Sequence, residues 1–188
     1  MSIFEFILML YVIVAGLGMS LLVRSVGQMI EYRARVELDW VHTVWLLLIF
    51  VAHVITWFSL WRFREHSPWT LLEALLLLNM PIMLYLVSHL AVPELGDGRD
   101  HDMRAYFERH AMWMHGLMLG VVVSGSLAQL GIEGRPDLSV VGSMRLLAGV
   151  AMLVGAVVRR RAVHGTIAVG MLVLIVLVAS LVMEPIAG

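Results

Sequence analysis

Apolar residues dominate six stretches of this chain, covering residues 3–30, 41–61, 70–92, 103–130, 140–158 and 164–183. Each is at or near the roughly 20 residues that a helix needs to cross the hydrocarbon core of a bilayer. Only the first two turns of the fourth stretch are amphipathic. The pattern predicts an all-α fold, a polytopic transmembrane helical bundle of about six spans. It occupies 1–188 as one domain, with no soluble domain and no internal repeat.

The connections are short and polar. Glu31-Tyr-Arg-Ala-Arg-Val-Glu-Leu-Asp39 is a charged segment suited to the membrane interface, and Arg62 to Trp69 forms a polar hairpin. Gly131-Ile-Glu-Gly-Arg-Pro-Asp137 is a cluster of turn formers. Glu5 precedes the first apolar run and Arg24 follows its centre, the reverse of a cleavable signal. A retained first helix is therefore expected.

Composition agrees with the pattern. Hydrophobic residues make up 61% of the 188, charged residues 14%, and mean hydropathy is +0.91. All 13 cationic residues are arginine, so no lysine is available for Schiff-base chemistry. The absence of cysteine excludes disulfides, thiolate nucleophiles and iron–sulfur clusters. A net charge of −1 gives a nucleic-acid partner no electrostatic support. The lipid bilayer is the partner the composition demands. Homo-oligomerisation or membership of a larger membrane complex is compatible with it.

Arginine placement predicts orientation. The first, third and fifth connections with their helix ends carry Arg24, Arg33, Arg35, Arg99, Arg104, Arg109 and Arg159 to Arg161, whereas the second and fourth carry Arg62, Arg64 and Arg135. The positive-inside rule puts the richer side in the cytoplasm and both termini in the periplasm.

Three segments carry a resemblance: Ser2-Ile-Phe-Glu-Phe6 with Gly16-Leu-Gly18, Asp39-Trp-Val-His-Thr-Val-Trp45, and Tyr106-Phe-Glu-Arg-His-Ala-Met-Trp113. The chain resembles a group of small bacterial polytopic inner-membrane proteins. That resemblance implies a multi-pass location in the bacterial inner membrane and no particular activity.

Candidate chemistry lies in the ionisable groups. By this topology His42, His89, His101, His110, His115 and His164 gather toward one side. Imidazoles near a membrane surface form proton relays or ligate metals. His89, His110 and His115 are the stronger candidates; His42, His101 and His164 each read more simply as histidines at headgroup depth. Glu108 and His115, seven residues apart, share a helix face on which the carboxylate could orient the imidazole. His53 lies in the other half of its span. That unequal depth disfavours, without excluding, a b-type haem between it and His89 or His110. Met112, Met114 and Met118 beside His110 and His115 offer soft ligands for a transition metal, but methionine is also an ordinary filler of helical cores.

Arg145 is the sharpest single charge, inside the fifth span. Glu5, Glu73 and Glu184 fall near the same end, and Glu73 is the expected first partner of Arg145. Pro81 should kink the third span, with Asn79 beside it as a polar group at mid-depth. Small residues four apart, Gly16 with Ser20, Gly116 with Gly120 and Ala151 with Gly155, allow close helix contacts.

Three function classes fit. The first is a small transporter or channel for protons, metal ions or a small polar solute. The second is a non-catalytic subunit, sensor or scaffold of a larger complex. The third is a histidine-ligated membrane redox protein. No HExxH or nucleophile-elbow pattern supports a hydrolase, so enzymatic activity is the less expected.

Overall fold

The computed structural model describes residues 2–96 and 98–182, with side chains through residue 178. Six helices carry the chain: α1 Ile3–Glu31, α2 Trp40–Ser59, α3 Leu71–Leu90, α4 Met103–Glu133, α5 Val140–Val157 and α6 Arg161–Val182. All six are long and apolar enough to cross a membrane. The expected spans thus stand to within about three residues at most boundaries, and α1 runs unbroken through Arg24. α2 is extended by a 3-10 turn over Leu60–Phe63.

Polar side chains start the helices where the sequence supplies them. Ser2 and Glu5 form a reciprocal capping box on α1, and Thr70 with Glu73 forms another on α3. Asp39 accepts the His42 N–H at 3.0 Å, and Ser139 accepts the Gly142 N–H at 3.1 Å. Each side chain satisfies a backbone donor that the first turn leaves open. α4 stops at Gly134, whose φ of 67° suits glycine.

α3 lies between α1 and α4; α4 also packs on α5, and α2 contacts α3 and α6. The buried core threads through Tyr11, Trp45, Ile49, Leu84, Phe107 and Met114. Outward faces remain apolar, as along α5 at Leu146, Leu147, Val150, Leu153 and Val157. That distribution is stable only where hydrocarbon, not water, is the solvent.

The connections confirm the alternation of spans. Val36–Glu37 (β1) pairs in parallel with His101–Asp102 (β2), tying the first connection to the third. Asp39 pairs with Arg161, tying the first to the fifth. These meet at one end, called here the basic end. At the opposite end Arg62, Glu133 and Asp137 join the second connection to the fourth, and Phe4 stacks on Trp69 at 6.4 Å.

Unequal helix lengths shape the basic end. α4 has 31 residues and α5 only 18, a difference of about 20 Å at 1.5 Å per residue. Both reach the opposite end, where Arg145 of α5 meets Gln129 of α4. The first turns of α4 therefore overhang α5 at the basic end. Pro81 sits inside α3 without ending it, so the helix remains one segment over 71–90.

Candidate functional site

The overhang of α4 brings its polar face over the junction of α5 and α6. His115, fully buried, ties its Nδ1 to the Ala111 carbonyl one turn back at 2.6 Å. The carbonyl can only accept, so Nδ1 carries the proton and Nε2 is left as a bare acceptor. That Nε2 has no hydrogen-bond partner. It faces Gly155 of α5, where a Cβ would lie 2.4 Å from Nε2 and 2.0 Å from Cδ2. Only glycine admits the ring at this helix crossing.

Around His115 stand Trp45 at 4.5 Å and His164 of α6 at 5.0 Å between ring centroids. His164 is 3% exposed, and its Nδ1 likewise lacks a partner. Phe107 contacts His42, His115 and His164 edge-on, so three imidazoles from three helices surround one phenyl ring. His42 donates from Nε2 to the Ala91 carbonyl, 2.7 Å away, because that oxygen can only accept. A cleft of about 200 Å³ reaches this group, lined by Glu108, Arg109, Ala111, Met112, Gly155, Ala156, Arg159 and His164.

The carboxylate at the cleft, Glu108, is paired. Arg161 binds Asp39 and lies 3.7 Å from Glu108, and Glu108 also binds Arg104 at 3.1 Å. Burial alone would push the Asp39 carboxyl up. The Arg161 guanidinium and the His42 N–H prevail and hold it below the usual carboxylate range. Glu108 therefore does not orient His115, as the sequence spacing suggested. The Ala111 carbonyl does, and Glu108 serves the arginines.

The opposite end holds a second polar cluster. Arg145 bonds Gln129 and reaches Asp137 at 3.2 Å; Arg62 lies 2.6 Å from Glu133 and 3.8 Å from Asp137. The expected partner Glu73 is engaged elsewhere. Its carboxylate caps the Thr70 N–H at 2.7 Å and faces His66 at 3.4 Å. Arg145 pairs instead with a turn carboxylate because Asp137 lies next to the Ser139 cap and its chain passes against Gly142. A Cβ on Gly142 would lie 2.1 Å from the Asp137 carbonyl oxygen. The Ser139 hydroxyl first, with Gln129 and Arg145, brings the Asp137 carboxyl down to about 2. Glu5 belongs to the α1 cap, and Glu184 lies outside the described residues.

The remaining candidates separate. Asn79, half-buried at mid-depth, donates to Ser124 of α4 at 2.6 Å. His53, fully buried, bonds the Ile49 carbonyl at 2.9 Å through Nδ1 and presses its Nε2 on Gly18 of α1. His110 bonds the Tyr106 carbonyl at 2.9 Å and its ring lies against the Tyr106 ring; His89 is exposed at the end of α3. Among the described residues no three His, Asp or Glu side chains are placed to hold a metal ion. The space before both bare Nε2 atoms is filled by glycine backbone, which leaves no slot there for a porphyrin. His164, set aside from sequence, is the residue that completes the buried pair. Of the small-residue pairs, Gly16 and Gly116 meet nothing within 4 Å, whereas Gly18 and Gly155 make the close approaches.

Compared with family models, curated proteins and solved structures, the chain matches none.

Proposed function

We propose that this integral membrane protein is a small proton-translocating carrier of the bacterial inner membrane, with its basic end cytoplasmic and its termini periplasmic. The observation that carries the reading is the His115–His164 pair. Two buried imidazoles touch, each with an unpartnered ring nitrogen, beneath a cleft bordered by charged groups. Intramembrane ionisable groups are costly, and they recur where protons or ions move.

In this reading a proton enters by the cleft, is taken up by His164 and passes to His115 when helix movement frees its Nε2 from Gly155. An imidazole takes up a proton at one ring nitrogen and can release one from the other, as a proton carrier must. Beyond His115, the next polar station on α4 is Ser124, nine residues on and about 13 Å away along the axis. Met118 and Val121 are buried between them. A static wire is thus interrupted by apolar packing, so translocation requires helix movement. The Asn79–Ser124 contact between α3 and α4 is where such movement would be registered.

The test is proton flux in proteoliposomes holding a trapped pH dye, driven by a potassium diffusion potential. Wild-type protein should acidify or alkalinise the lumen faster than protein-free vesicles, and His115→Asn and His164→Gln should abolish the excess. Flux equal to that of empty vesicles would overturn the reading. Undiminished flux in both folded variants would do the same.

A further inference from the structure

The basic end also carries cations with no assigned work. Among the described residues, Arg109, Arg159 and Arg160 form no ion pair, whereas Arg104 and Arg161 share Glu108 and Arg161 also holds Asp39. Arg109 and Arg159 border the cleft from α4 and from the segment after α5. The Arg159 guanidinium rests on the Met112 sulfur at 3.9 Å, so its charge is held at the rim and not extended away.

Three further features point to an anion. Helix α6 begins at Arg161, two residues past Arg159, so the positive end of a long helix opens beside the cleft. His164, only 3% exposed, lines the cleft with an unpartnered Nδ1. Glu108, the one carboxylate in the lining, is already offset by two arginines. The other lining side chains, Ala111, Met112 and Ala156, are apolar, and Met112 is exposed on the outer face of α4.

We propose that this cleft binds the headgroup of an anionic phospholipid, its phosphate between Arg109 and Arg159 and an acyl chain along Met112 and Ala156. Charge selects the headgroup, and the apolar wall favours a lipid over a free ion. Basic pockets between transmembrane helices take anionic headgroups on these terms. The proposal does not rest on proton translocation, because binding is measured without flux.

The test uses full-length protein, delipidated in a neutral detergent, with melting temperature and native mass spectrometry as readouts. Phosphatidylglycerol should bind saturably and raise the melting temperature, and phosphatidylcholine and inorganic phosphate should not. The double variant Arg109→Gln/Arg159→Gln should bind phosphatidylglycerol about tenfold more weakly or worse. Arg33→Gln, an exposed arginine away from the cleft, should bind it as wild type does. Equal binding of the two lipids, or full retention in the double variant, would overturn the proposal. Equal stabilisation by inorganic phosphate would make this a free-anion site and overturn the lipid assignment. Should the double variant fail to fold, Arg109→Gln and Arg159→Gln singly must each weaken phosphatidylglycerol binding, and no weakening in either would overturn the proposal.

Discussion

Replacing Gly155 with alanine inserts one methyl group where the His115 ring already stands. The new Cβ would lie 2.0 Å from Cδ2, 2.4 Å from Nε2 and 2.8 Å from Cγ. Carbon atoms rest in contact at about 3.5 Å or more, so relief requires about 1.5 Å of displacement. The ring has little freedom to supply it. Its Nδ1 is tied to the Ala111 carbonyl, and Trp45 and His164 close on its faces. The helices α4 and α5 must separate instead, which opens their shared packing around Val122 and Leu119 against Gly149. Overpacking of this kind costs roughly 1–3 kcal/mol, and a rigid neighbour places this site toward the upper figure. For a chain of this size that corresponds to a fall of roughly 5–10 °C in melting temperature. The assay is thermal unfolding of purified protein in detergent for wild type, Gly155→Ala, His115→Ala and the double variant. In the His115→Ala background the added methyl should cost about 0.5 kcal/mol or nothing, a coupling that a cycle of four proteins isolates. Gly16→Ala, which meets nothing within 4 Å, should be neutral or slightly stabilising and serves as the comparison. A Gly155→Ala melting temperature equal to wild type, or a penalty that persists without the imidazole, would refute the packing argument.

Further expectations concern the polar ties. Asp137 has a carboxyl lowered to about 2, so it contributes stability above its unfolded value near 4 that is lost as pH falls toward 2. Melting temperature should drop over that window in wild type, and Asp137→Asn should flatten the drop while lowering stability at neutral pH by about 1–3 kcal/mol. Asp39→Ala removes both the α2 cap and the Arg161 partner, and Asp39→Asn keeps the cap. Chemical denaturation should rank alanine below asparagine by about 1 kcal/mol, and equal values would show that the cap is idle. Asn79→Ala and Ser124→Ala should couple by about 0.6 kcal/mol in a double-mutant cycle, the usual worth of such a bond between membrane helices. Glu73→Gln should leave stability and helix content nearly unchanged by circular dichroism, because the amide oxygen still caps Thr70 and Arg145 does not depend on it.

The spans were legible because hydropathy is a property of each residue and the bilayer sets the length. What the sequence hid was depth. α4 is so much longer than α5 that any of several registers would satisfy its apolar pattern, and only packing decides which turns overhang. His115 and His164 sit twelve and three residues into their helices, so counting from helix starts kept them apart although their rings touch. Glycine supplied a usable signal that spacing rules caught only in part. Of the four-residue pairs, Gly155 does mark a close approach while Gly16 and Gly116 meet nothing, and the approach at Gly18 falls outside them; Gly18 and Gly155 each lie opposite a histidine of a neighbouring helix. Arg145 is legible as an intramembrane charge in need of a partner, and its partner Asp137 lies outside the apolar spans, in the turn before its own helix. The turn signal around Asp137 masks it, because a carboxylate two residues before a serine cap can fold back over the helix it precedes.

The Asp39–Arg161 pair spans 122 positions of sequence, which gives it a place in time as well as in space. A chain inserted from its N-terminus releases Asp39 ahead of α2 while four further helices remain to be made. Until Arg161 arrives, that carboxylate holds its helix cap with no cation beside it, and the face of α2 that meets α6 is unfilled. Docking of α6 therefore closes the first connection, and biogenesis acquires a late checkpoint. A nascent chain arrested before α6 should expose that unfinished seam to membrane quality-control proteases, and insertion of α6 should hide it.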